Sequence, residues 1–196
     1  MPTKNIKPNN RGFALMMALI VIGAVISIGL TILDLSIKQI SLSTDSKDSE
    51  IVFHAANAGM ECAEYWAVKE ALRFEEGETD IDISCFGVDV NNVNLTGTEN
   101  DGDNYLYAYD FQFDWGGSAG ARCSKAQMVF MNASTTDFTV ANSVIRNYIA
   151  GYSSISSDKT CLAGGRCTVI SVQGYNTTCA NIGTPGTLQR EIQLES

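Results

Sequence analysis

Three groups of residues in this chain have types and spacings that could do chemistry. The run Gly116-Gly117-Ser118-Ala119-Gly120 matches a nucleophile elbow, in which a serine on a tight strand-to-helix turn is activated by a histidine base. The only histidine is His54, far away in sequence, and Gly120 is followed by Ala121-Arg122-Cys123, a poor helix start. The glycine-rich run therefore reads as a flexible hairpin turn, and no catalytic residue is expected. A second group, Glu99, Asp101 and Asp103, surrounds Gly102 with Asn100 and Asn104 beside it, an oxygen-rich loop of the kind that can hold Ca²⁺. No glutamate stands where an EF-hand needs its bidentate ligand, so the loop reads first as a solvated turn, with calcium as the one cofactor it raises. With a single histidine, a transition-metal site has little to build on.

The third group is the cysteines Cys62, Cys85, Cys123, Cys161, Cys167 and Cys179. No Cys-x-x-Cys pair occurs, which argues against a zinc ribbon or a thioredoxin-like redox site. An even number confined to the later part of the chain points to structural disulfides formed in an oxidising compartment. Spacing does not choose among the possible connectivities. The preferred set joins Cys62 to Cys85 between the helix end and the next segment, Cys123 to Cys179 between strands, and Cys161 to Cys167 across Gly164-Gly165.

These groups all lie beyond a segment that decides the compartment. Phe13 to Leu33 is an uncharged apolar run that as a helix reaches roughly 32 Å, enough to cross a hydrocarbon core. A secretory signal is shorter and ends in a small-residue cleavage site, and nothing of that kind follows Leu33. Lys4, Lys7 and Arg11 precede the run, and the positive-inside rule keeps them in the cytoplasm and exports the rest.

The junction Lys7…Arg11-Gly12-Phe13 ahead of this run resembles the class III leader of type IV pilins and pseudopilins. The segment Phe53-His54-Ala55-Ala56-Asn57-Ala58-Gly59 is similar to the Phe-x-Ala-Ala-x-Ala-Gly stretch of minor pilins of the X type. The resemblance implies cleavage after Gly12 by a prepilin peptidase and methylation of the new amino terminus at Phe13. Most pilins carry glutamate at the fifth mature position, where it neutralises a neighbouring subunit's amino terminus in the apolar filament core. Here that position is Met17. Pseudopilin K of type II secretion also lacks the carboxylate, and a subunit at a filament tip has no predecessor to neutralise. Related pseudopilins bind calcium, the other ground for considering the Glu99 to Asp103 loop.

The elements that must carry these residues are a helix and then a sheet. Val52, Ala55, Ala56, Gly59, Ala63 and Trp66 recur at helical spacing, and with no proline from Asp34 to Ala71 one helix is expected from Phe13 to about Phe74. Glu75 to Asn104 reads as loop with one short strand near Ile81 to Val90. Tyr105, Tyr107, Tyr109, Phe111, Phe113 and Trp115 then alternate with Asp110, Gln112 and Asp114, a half-buried strand. Ala126 to Met131, Thr168 to Gln173 and the last ten residues add further strands, and Val140 to Ile149 reads as either strand or short helix. The expected fold class is α+β, a long N-terminal helix packed on an antiparallel sheet. Its divisions are a leader 1–12, a membrane or filament-core helix 13–33, an amphipathic continuation 34–74 and a disulfide-braced head 75–196.

Net charge is −9, and loss of the leader takes the chain three charges further negative, so nucleic acid is not an expected partner. The function expected is that of a non-enzymatic minor pilin subunit. It would be a single-pass inner-membrane protein with an exported head, assembled with other pilin subunits through its N-terminal helix into a cell-surface filament, near the tip. The alternative is an uncleaved single-span membrane protein with an extracellular binding domain. A membrane-tethered hydrolase acting through Ser118 is a third and weaker reading.

Overall fold

A computed structural model describes residues 11–90, 93–116 and 121–196. Helix α1 spans Arg11–Lys69 and is followed by the short helix α2, Ala71–Glu75. The strands are β1 (Ile83–Cys85), β2 (Val88–Val90), β3 (Asn94–Asp101), β4 (Asn104–Trp115), β5 (Arg122–Asn132) and β6 (Phe138–Val140). After helix α3 (Asn142–Tyr148) come β7 (Lys159–Cys161), β8 (Arg166–Tyr175) and β9 (Gln189–Glu195). The chain divides into two units, residues 1–46 and 47–196.

The described part of the first unit is helix alone. Several of its polar side chains are satisfied within one turn: Thr31 donates to the Ser27 carbonyl, Ser36 to Ile32 and Thr44 to Ile40, and Lys38 pairs with Asp34 at 3.0 Å. Hydroxyls that bond back to the i−4 carbonyl leave the helix surface apolar. Phe13–Lys69 contains a stretch long and apolar enough to cross a membrane, and every large apolar side chain from Phe13 to Leu42 is exposed.

The second unit is built on a five-stranded antiparallel sheet, order β3-β4-β5-β8-β9, with β1-β2 and β6-β7 as separate hairpins. Val52, Ala55, Ala56, Gly59, Ala63 and Trp66, the stripe expected from spacing, are all buried. Met60, Ala63 and Trp66 of the helix, with Phe74 of α2, share one core with Tyr109, Phe111, Phe113, Met128, Phe130 and Val172 of the sheet. Contact is closest at two glycines. A Cβ on Gly59 would stand 2.5 Å from Val172 Cγ1, and one on Gly174 would strike the Val52 carbonyl and the Ala56 amide. Between them, Ser124 Oγ donates to the Ala55 carbonyl at 2.7 Å, so a strand side chain hydrogen-bonds the helix backbone directly.

Four expectations are corrected. The helix does not run unbroken to Phe74: it kinks at Glu70, where φ is −110°. The Glu70 amide still reaches the Trp66 carbonyl and the Phe74 amide the Glu70 carbonyl, and the turn delivers Phe74 into the core, stacked on Phe130 at 4.8 Å. The loop before Tyr105 contains β3 as well as the β1–β2 hairpin, because β4 supplies a partner for a polar segment with little strand character of its own. β4 is half-buried only from Asp110 to Asp114, and towards its other end the second face of the sheet is covered as well. Leu106, Ala108, Val129, Met131 and Val169 point to that face and form a second core with Phe138, Val140, Ile145, Ile149 and Tyr152. Cys179, expected in a strand, lies in a short 3₁₀ turn, Cys179–Asn181.

Candidate functional site

The three disulfides are Cys62–Cys85, Cys123–Cys179 and Cys161–Cys167, with Cα separations of 5.7, 4.8 and 5.7 Å. These are the pairs preferred from the sequence. They tie α1 to β1, β5 to the 3₁₀ turn, and β7 to β8.

Gly12 and Phe13, the expected processing residues, lie at the start of α1; Phe13 and Met17 are exposed, as are the apolar side chains around them. Lys4 and Lys7 lie outside the described residues, as does Ser118. The segment after the glycine-rich run is strand β5, whose Arg122 pairs with Trp115 of β4, so the helix that a nucleophile elbow requires is not there. His54 is an exposed α1 residue with Glu50 3.8 Å away.

The calcium candidates sit on the β3–β4 hairpin, whose register closes with Asp101 opposite Asn104. Glu99 accepts a hydrogen bond from Tyr148 of α3 at 2.9 Å. Burial, reinforced by that hydrogen bond, raises the Tyr148 pKa. Among the described residues the set of potential ligand atoms that converges is Asp114 with Cys123 and Cys179, and those two sulfurs are already joined in a disulfide.

Sequence reasoning overlooked one surface. At the tip of the β1–β2 hairpin, Cys85 opposes Val88 across the two-residue turn Phe86-Gly87. Both turn residues have positive φ, 54° and 78°, and Phe86 is the one non-glycine residue among those described that does so. The left-handed region costs an ordinary L-residue roughly 1–2 kcal/mol, yet the Phe86 ring is 61% exposed. It stands beside the Cys62–Cys85 disulfide and Tyr65, and together with Glu61 and Trp66 they line a recess of about 230 Å³. On the other side of Trp66 lies a recess of about 350 Å³, bounded by Asp82, Ile83, Ser84, Asp89 and Val90. The hairpin is pinned from beneath by the disulfide and by Trp66 Nε1, which donates to the Ser84 carbonyl at 2.9 Å. Gly87 within the apolar stretch Ile81 to Val90 is a turn signal, but nothing in a sequence announces a left-handed phenylalanine.

The fold and these surfaces define an α+β protein with a long apolar N-terminal helix and a disulfide-braced antiparallel sheet. Comparison with protein-family models, curated proteins and solved structures gives no match. The functional reading therefore stands on residues and geometry.

Proposed function

We propose that this chain is a non-enzymatic, minor pilin-like subunit. It is inserted in the inner membrane as a single-pass protein, cleaved by a prepilin peptidase between Gly12 and Phe13, and assembled with other pilin subunits through its N-terminal helix. The product is a type IV pilus or related filament with this subunit at or near the tip and its disulfide-braced head at the cell surface. The observation that carries the reading is the extent of uncovered apolar helix. From Phe13 to Leu42 the large apolar side chains are exposed, a length of roughly 45 Å against about 30 Å of bilayer hydrocarbon. Leu35, Ile37, Ile40 and Leu42 thus need cover that a simple anchor does not supply and that neighbouring helices would. The pairing of Asp34 with Lys38 and the back-bonded hydroxyls of Thr31 and Ser36 suit the same environment, because they lower the cost of burying those groups. Met17 in place of a carboxylate favours a subunit with no predecessor.

The test is the mature amino terminus. Expressed with a prepilin peptidase, the purified protein should begin at methylated Phe13 by mass spectrometry, and Gly12→Ala should block both cleavage and incorporation into filaments. Retention of Met1 in the presence of an active peptidase would remove the proposal. The second reading, an uncleaved single-span protein whose head binds an extracellular partner, is favoured by the aromatic recesses beside Trp66, and it predicts indifference to loss of the peptidase.

A further inference from the structure

We propose that the outer face of the β1–β2 hairpin, with the adjoining turn of α1, is a docking site for a cationic side chain, lysine or arginine, on a partner protein. The site does not depend on whether the N-terminal helix ends in a filament or remains in a membrane, because every residue involved lies in the second unit. Three carboxylates, Glu61, Asp82 and Asp89, border the two recesses on either side of Trp66, and no lysine or arginine lines either one. None of the three is in an ion pair or a side-chain hydrogen bond among the described residues. Beside them stand Tyr65, 59% exposed, and Phe86, 61% exposed.

A cation of this chain already lies against these rings. The Lys69 ammonium of the same helix sits 4.1 Å from the Trp66 ring centroid and 5.5 Å from that of Tyr65, the geometry of a cation over a π face. A cation entering from a partner would meet the open Phe86 ring and three unpaired carboxylates, which outnumber the single Lys69 charge it must share the site with. An anionic lipid or nucleic acid would meet three negative charges on a chain whose net charge is −9. A purely apolar partner would strip water from the carboxylates without replacing it. Charge complementarity therefore selects the basic side chain, and the left-handed turn sets the Phe86 ring as a wall of the site.

The test uses the full chain, isotope-labelled, in dodecyl maltoside micelles, titrated with the peptide acetyl-Gly-Arg-Gly-Arg-Gly-amide and followed by NMR at the Trp66 indole N–H and the Gly87 amide. Saturable shifts are expected, with affinity falling roughly tenfold in the double variant Asp82→Asn, Asp89→Asn and falling again as salt screens the contact. Phe86→Gly should weaken binding while raising Tm, since glycine relieves the left-handed strain; a purely structural phenylalanine would not separate the two readouts in this way. The proposal is overturned if the arginine peptide shifts neither signal, if acetyl-Gly-Glu-Gly-Glu-Gly-amide shifts them equally, or if the double carboxamide variant binds as tightly as the native chain. Shifts produced by anionic phospholipid vesicles and not by the arginine peptide would equally overturn it, in favour of a membrane-facing surface.

Discussion

At the scale of single residues, the contact between helix and sheet is set by atoms that are missing. Gly174 lets the strand touch the α1 backbone at Val52 and Ala56, and no side chain could yield there because the opposing atoms are main chain. Gly174→Ala should therefore destabilise the fold by about 3 kcal/mol, read as a lowered urea midpoint at unchanged slope. Ser124 acts by what it supplies. Its hydroxyl donates to the Ala55 carbonyl and accepts from Trp115 Nε1 at 3.1 Å, so Ser124→Ala leaves the indole N–H without a partner inside the protein and strips the Ala55 carbonyl of its second bond, leaving only the one within the helix. A loss of ~1–3 kcal/mol is expected in the same measurement, with the Trp115 fluorescence changed in the native state. The small residues at Ala55, Ala56 and Gly59 were legible in the sequence as a stripe that another backbone could approach. Gly174 was not, because a lone glycine in a strand acquires meaning only from what crosses it.

At the scale of elements, β9 shows how a terminal edge strand is held. It pairs with β8 on one side only, and its Glu195 accepts hydrogen bonds from Tyr152 at 2.9 Å and Lys159 at 3.1 Å. Partial burial alone would raise the Glu195 pKa, but the hydrogen bonds from Lys159 and Tyr152 outweigh it and hold the carboxyl below its ordinary value of 4.5. A carboxyl with a depressed folded pKa stabilises the native state above its unfolded pKa, and the contribution is lost as pH falls through the folded value. Tyr152 runs the other way. Burial, with Glu195 adding to it, pushes its hydroxyl from 10.0 up to about 12, so its contribution is complete below pH 10.0 and disappears as pH climbs toward 12. Urea unfolding of the native chain and of Glu195→Gln should accordingly differ most between these limits and converge as acidification protonates the folded carboxyl, below its ordinary value of 4.5. The last ten residues read as a strand from the sequence, whereas the clamp did not show, because Tyr152 and Lys159 reach Glu195 only through tertiary folding. The polar β3 was invisible for a related reason: its strand character belongs to its pairing with β4.

At the scale of the whole molecule, three cross-links fall within the unit from Lys47 to Ser196. They close loops of 56, 23 and 6 residues for Cys123–Cys179, Cys62–Cys85 and Cys161–Cys167 respectively. If they act by restricting the unfolded chain, pairwise replacement by serine should cost about 4, 3 and 2 kcal/mol in that order, which thermal unfolding of the three double variants will rank. A different ranking would place their effect in native packing. In the first unit every large apolar side chain from Phe13 to Leu42 is exposed. A chain begun at Lys47 should accordingly keep its three disulfides and its near-ultraviolet circular dichroism while no longer partitioning into detergent.

What the sequence by itself determined are the properties carried by composition and local period. These are the apolar run from Phe13, the buried stripe from Val52 to Trp66, the aromatic alternation from Tyr105 and the α+β class. Each is legible because helix and strand impose different spacings on which side chains share a face. The preferred cysteine pairs also match the bonds found, although spacing left other pairings open. Only the tertiary structure decided the second core behind the sheet, the kink at Glu70, the strand β3 and the aromatic recess at Phe86. Each depends on residues far apart in the chain competing for the same space, and the backbone there takes the conformation that packing selects over its local preference.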